Sequence, residues 1–149
     1  MAATRVLIIA NPAAGAVTPA LVWELVLMCR RLTRHVSVRW TTGPGEATRI
    51  ARKAAESVAP TVSERALALS TAVPATPLPG TVVVAVGGDG TVREVVAGLA
   101  SAWQGAAPTQ LLIVPGGTTN SCYRDLHGTA PWQSTVAEAL RGVAPALAA

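Results

Sequence analysis

Short apolar runs of strand length alternate along this chain with longer stretches whose apolar residues recur at helical spacing. RVLIIA at residues 5–10 is such a run, suited to a strand buried on both faces. NPAAGAVTP follows as a loop. Thr18 and Pro19 then mark a helix start, an N-cap hydroxyl before a proline preset for the first turn. Leu21, Val22, Leu25, Val26, Cys29 and Leu32 form one apolar stripe beyond it. Val36, Val38 and Trp40 alternate with His35, Ser37 and Arg39, which is a strand pattern. TTGPG ends that strand, and EATRIARKAAESV reads as a second helix with Ile50 and Ala54 facing inward.

Residues 59–80 carry four prolines and little periodicity beyond a turn of helix from Glu64 to Leu69. They read as a flexible surface connector. TVVVAV enters a glycine knot as a third strand, VREVVAGLASAW leaves it as a helix, and QLLIVP is a fourth strand. PGGTTN makes another loop, a short helix runs to Leu126, and residues 132–140 form a last helix. Strand, loop and helix thus recur about four times without an internal repeat. The pattern predicts an α/β fold, a three-layer, doubly wound and mostly parallel sheet, with ligand chemistry at the carboxyl ends of its strands. NPAAG, GGDGT and PGGTTN all follow predicted strands directly, so they share one edge of that sheet.

Composition narrows the classes. The 149 residues fit one domain, and half of them are hydrophobic. The longest apolar stretch, LVWELVLMC, is broken by Glu24 and followed by Arg30 and Arg31, so it reads as an amphipathic helix and not a membrane span. Asn11 and Pro12 stop the N-terminal apolar patch too early for a signal peptide. Cys29 and Cys122 are the only cysteines, which argues against a disulfide framework or structural zinc and for a reducing cytoplasm. The net charge of +4 suits an anionic ligand or membrane surface. It is too diffuse, and aromatic residues are too few, for nucleic-acid binding.

Glycine admits positive φ and a close backbone approach to a ligand, and a following helix aims its free N–H groups at the same place. Gly87, Gly88 and Gly90, with Thr91 opening a helix, meet both conditions. Asp89 would repel a phosphate, so it fits better as a holder of Mg²⁺ or as acceptor of a proton from an attacking hydroxyl. A tight turn capped by Asp89 is the plainer alternative, and three such loops on one edge weigh against it. A Walker A loop, a complete dinucleotide fingerprint and a GxSxG elbow are all absent; GPGEAT at residues 43–48 lacks the last glycine of the fingerprint. His35 and His127 read as structural.

NPAAG at 11–15, TTGPGEA at 41–47, GGDGTVREVVAGL at 87–99 and PGGTTN at 115–120 resemble the catalytic domain of the diacylglycerol kinase family. That family includes bacterial lipid kinases and the sphingosine and ceramide kinases, and is related to NAD kinases and phosphofructokinases. GGDGT is common to all of these, whereas NPxxG with a later GTxN-type loop is much more specific to the lipid-kinase branch. The resemblance implies ATP along the sheet edge, with Asn11, Pro12, Ala13, Ala14 and Gly15 lining it. Thr41, or its neighbour Thr42, would contact it from the second strand. Gly87, Gly88, Asp89, Gly90, Thr91, Val92, Arg93 and Glu94 would wrap the phosphates. Asp89 would lie nearest Mg²⁺ and the transferred group, as the catalytic residue. Gly117 and Thr118 would complete the site, with Asn120 fixing the final loop. Plainer roles are turn capping by Asn11 and Asn120 and helix packing by Glu94.

Some positions depart from the family's pattern. Arg93 stands where asparagine is frequent, Ser121 where an acidic residue usually follows the asparagine, and Gly116 where a bulky residue precedes the glycine. Glu46 is an acidic variant in keeping with the family. The proline-rich connector is longer than usual, and nothing after Leu126 could build the β-rich second domain that forms much of the family's lipid site. The resemblance therefore implies the nucleotide-binding domain of a lipid kinase, with ATP and Mg²⁺ as cofactors and a diacylglycerol-like lipid as substrate. It also implies a cytoplasmic protein peripheral to the inner membrane face, acting with a second domain, a partner or another copy. An NAD kinase-like enzyme and a non-catalytic nucleotide-binding module are the alternatives.

Overall fold

The computed structural model describes residues 5–58, 81–102, 109–141 and 147–148. Four parallel strands, β1 (Arg5–Ala10), β2 (His35–Trp40), β3 (Thr81–Gly87) and β4 (Thr109–Pro115), form a sheet in the order β2-β1-β3-β4. A two-residue β5 (Leu147–Ala148) adds to β4 in antiparallel sense. It is too short for any periodicity to announce it. The helices are α1 (Pro19–Arg30), α2 (Glu46–Val58), α3 (Asp89–Ala102), α4 (Ser121–His127) and α5 (Trp132–Leu140). The α/β sheet read from the sequence is the one observed.

Two apolar layers sandwich the sheet. On one face Val6, Ile8, Val84 and Val114 meet Val22, Leu25, Val26 and Cys29 of α1 and Val136 of α5. On the other, Ile9, Val83, Ala85 and Ile113 meet Ala47, Ile50 and Ala51 of α2 and Val92, Val95 and Leu99 of α3. Every residue of β3 is buried, as expected of a central strand covered on both sides. Each such aliphatic side chain contributes about 1.5–3 kcal/mol on burial. Cys29 belongs to this interior; burial pushes its thiol up to about 11 and leaves it a packing residue.

Thr18 caps α1, its Oγ1 accepting the Leu21 N–H at 3.1 Å. The stripe ends sooner than expected. Leu32 lies beyond the helix and is 43% exposed, because the Leu32 and Thr33 amides both turn back onto the Cys29 carbonyl, at 3.0 and 3.1 Å. In α2, Ile50 is inward as expected, but Ala51 and Ala47 sit deeper than Ala54. Helix α3 starts at Asp89, ahead of Thr91. The connector at 59–80 and Trp103 lie outside the described residues. Among the described residues no helix is long and apolar enough to cross a membrane.

Strand order fixes the position of the site. The chain passes from β1 outward to β2, then returns to β3 on the other side of β1. The connections leaving β1 and β3 therefore diverge at the carboxyl edge, the switch point where open α/β sheets receive ligands.

Candidate functional site

Main-chain bonds lace together the loops that leave the strands. Asn11 N–H donates to the Val86 carbonyl (3.0 Å), Gly116 N–H to that of Gly87 (2.8 Å), and Ala16 N–H to that of Gly116 (2.9 Å). The loops after β1 and β4 thus grip the one after β3. Absent side chains make this possible. A Cβ on Gly117 would stand 2.6 Å from Gly88 Cα, one on Gly87 would stand 2.5 Å from Thr91 Oγ1, and one on Gly116 would overlap Val17. Among the described glycines only Gly45 and Gly128 have positive φ. Gly88 is therefore required by the facing loop and Gly87 by Thr91 of the following helix, not by left-handed backbone. Gly15 and Gly90 differ, since a Cβ on either would meet nothing within 4 Å. They present bare backbone outward.

Asn11 organises the first loop. Its Oδ1 accepts the Ala13 N–H at 3.0 Å, and its Nδ2 donates to Thr91 Oγ1 at 3.2 Å, tying the loop to the first turn of α3. Pro12, Ala13 and Gly15 are exposed beyond it, and Ala14 is half-buried. The first α3 amide bonded back within the helix is that of Val92, which donates to Gly88 O at 3.2 Å. The amides before it point out of the helix end, where an anion is favoured. Thr91 and Val92 themselves are buried, Val92 within the apolar layer, so they face the site with backbone only.

Both carboxylate oxygens of Asp89 are engaged. Its Oδ2 accepts the Ser121 N–H and its Oδ1 the Cys122 N–H, each at 3.0 Å. It caps α4 in place of Asn120, whose side chain is occupied elsewhere. Asn120 Oδ1 accepts the Gly117 N–H, and its Nδ2 donates to the Gly117 carbonyl, both at 2.9 Å. That closes the final loop with Asn120 at φ 52, a left-handed conformation asparagine tolerates. The capping partnership spans 32 and 33 residues, so no local pattern discloses it.

The Cys122 and Ser121 amides hold the Asp89 carboxyl below its ordinary range. A depressed folded value means the cap stabilises the fold fully above the unfolded carboxyl pKa, roughly 3.9, and loses that effect as pH falls through the folded value. Acid unfolding of wild type and Asp89→Asn should therefore differ at neutral pH and converge once the pH falls below the folded value. Parallel curves across the whole range would show the cap to be inconsequential.

Two expected contacts are placed differently. Thr41 is buried, and its Oγ1 donates inward to the Ala10 carbonyl at 3.4 Å, so its hydroxyl is turned away from any ligand. The exposed hydroxyl at the β2 exit is that of Thr42, bonded to Glu46 Oε2. Thr42 first, then Arg49 and Arg39, keep the Glu46 carboxyl low. Glu94 is a brace: its Oε1 accepts the Gly45 N–H at 2.7 Å and its carbonyl the Thr48 hydroxyl at 2.9 Å, fixing the turn between β2 and α2. Arg93 and Thr118 are exposed.

Among the described residues no three His, Cys, Asp or Glu side chains gather where they could hold a metal. Asp89 alone still fits a hard cation that brings other oxygens with it. Each of its oxygens accepts one amide and keeps a lone pair, and Mg²⁺ commonly takes one or two carboxylates plus phosphate and water.

The chain is similar to a solved diacylglycerol kinase from Bacillus anthracis str. Sterne, with 24% identity and a TM-score of 0.63. Two further structures of a provisionally named diacylglycerol kinase from that organism match at 23% identity, each with a TM-score of 0.63. In each case 93% of this chain is covered but only 41–42% of the other, so it spans about two fifths of their length. No curated protein matches. The diacylglycerol kinase catalytic domain family matches residues 5–146, nearly the whole chain and every loop of the sheet edge. The chain belongs to that family.

Proposed function

We propose that this chain is the nucleotide-binding part of a lipid kinase, passing the γ-phosphoryl group of ATP to the hydroxyl of a diacylglycerol-like lipid. The observation carrying this reading is the clasp at the β1/β3 switch point. There the outward amides of α3, the bare backbone of Gly15 and Gly90 and the Asp89 carboxylate lie on one edge. Phosphate oxygens suit those amides, and Gly90 lets them approach without a side chain in the way. Thr118 offers a further hydroxyl. Asn11 ties the first loop to α3, Asn120 closes the final loop and Glu94 braces the turn between β2 and α2.

Asp89 would hold Mg²⁺, which when bound neutralises charge building on the transferred group. The two amides that lower its pKa make it a poor proton acceptor at neutral pH, so the metal role is favoured over that of general base. Such a reaction rests mainly on positioning and charge. This reading assigns residues 5–146 to the nucleotide and the holding of the lipid to a second domain or partner, at the inner face of a membrane. Incubating protein that contains this chain with labelled ATP, Mg²⁺ and either diacylglycerol or NAD tests it. Label should enter the lipid. Transfer to NAD, or to neither, would overturn the reading.

A further inference from the structure

A groove of about 640 Å³ runs between α2 and the outward face of β2, remote from the glycine loops over most of its length. Arg5, Arg34, Arg39, Arg49 and Lys53 line it, and no Asp or Glu does so among the described residues. The groove starts beside Arg39, one residue before the end of β2, and extends to the amino ends of the strands at Arg5, His35 and Thr81. Leu7 of β1 and Ile50 and Ala54 of α2 are among its apolar lining. Apolar lining with a few converging polar groups is the make-up of a small-ligand site, and the volume lies in that range.

The distribution of charge is the telling feature. Cations on an edge strand commonly serve to keep other strands from pairing with it. That accounts for Arg34 and Arg39 beside and within β2. It does not account for Arg49 and Lys53, which α2 directs into the same space from the opposite wall. Glu46 is the carboxylate that Arg49 and Arg39 act upon, and it does not line the groove. Like charges gathered around a cavity repel one another, and a multiply charged anion relieves this. Guanidinium groups pair with phosphate oxygens in bidentate fashion, and four of the five cations are arginine.

We propose that this groove is a second anion site, taking a phosphomonoester or diphosphate group whether free in solution or carried on a lipid headgroup. It is separate from the loop edge and does not depend on what that edge catalyses. The triple variant Arg5→Gln, Arg34→Gln, Lys53→Gln removes three exposed cations that touch none of the loops. Its melting temperature should hold or rise, because only repulsion is lost.

Inorganic pyrophosphate at physiological ionic strength, and phosphatidylcholine vesicles doped with phosphatidic acid, are the two probes. Calorimetry with the first and co-sedimentation with the second should show saturable binding by wild type to at least one. The triple variant should bind that probe about tenfold or more weaker. Binding of pyrophosphate alone assigns the site to a soluble ligand, and binding of vesicles alone assigns it to a lipid headgroup. Undiminished affinity in the triple variant, or no saturable binding of either probe by wild type, would overturn the proposal.

Discussion

If the proposed kinase reading holds, Asp89→Asn should lower phosphoryl transfer by on the order of 10²–10³-fold, the scale seen when one preorganised electrostatic group is removed from a reacting centre. The exchange is nearly isosteric, so shape is not what changes. One oxygen remains to accept one of the two amides at the start of α4, while the new –NH₂ opposes the other. The cap is half lost, and the melting temperature falls by a few degrees. Helix α4 stays in place because Tyr123 is buried beneath it and donates its hydroxyl to the Ala130 carbonyl at 2.5 Å. The larger effect is electrostatic. A carboxylate beside a polyphosphate is repulsive unless a cation lies between them, so ATP binding without Mg²⁺ should be equal or better in the variant. Its strengthening by Mg²⁺ should disappear. Transfer retained within about twofold, together with the lowered melting temperature, would reduce Asp89 to a helix cap.

The fold was legible because its signals are local. RVLIIA and TVVVAV are continuous apolar runs in a sheet covered on both faces, and Thr18 with Pro19 marks α1 through side-chain and ring geometry within four residues. Of the candidate site, the placement of the loops was legible for the same reason, since each follows a strand of a parallel sheet. The roles of individual residues were not. Whether Asp89 is free or bonded depends on amides contributed by another loop, and whether Thr41 or Thr42 faces outward depends on a one-residue phase at a strand end. Glycine misled in an instructive way. A sequence shows only that a Cβ is absent, and the space it vacates is filled here by Gly88 against Gly117 rather than left for a ligand, except at Gly15 and Gly90. The basic groove drew no notice because its cations come from β1, the approach to β2, β2 itself and α2, and no stretch of sequence collects them.

Gly98→Ala destabilises the fold by about 1–3 kcal/mol, against what local physics alone would give. Within an isolated helix the exchange gains roughly 1 kcal/mol, because alanine loses less backbone entropy than glycine. Gly98 is buried where α3 crosses α2. A Cβ there would overlap the Thr48 carbonyl oxygen and approach Ala51 Cβ to 2.9 Å and the Arg52 amide nitrogen to 3.0 Å. Backbone cannot swing aside as a side-chain tip can, so the helices must part and open the layer formed by Ala47, Ile50, Ala51, Val95 and Leu99. The overlap therefore outweighs the propensity gain, and a net loss of that size lowers Tm by about 2–4 °C per kcal/mol in a chain of this length. The damage reaches the site by one route only. Glu94 lies one turn before Gly98 and braces Gly45 and Thr48 across the same helix pair, so the β2 exit loosens. Asp89 and its α4 cap lie at the far end of α3, so the acid-dependent difference between wild type and Asp89→Asn should persist in the Gly98→Ala background. Thermal melts of the four proteins at neutral and acid pH give the comparison. A raised Tm in Gly98→Ala would mean that helix propensity had won and that α2 and α3 are not in backbone contact at this residue.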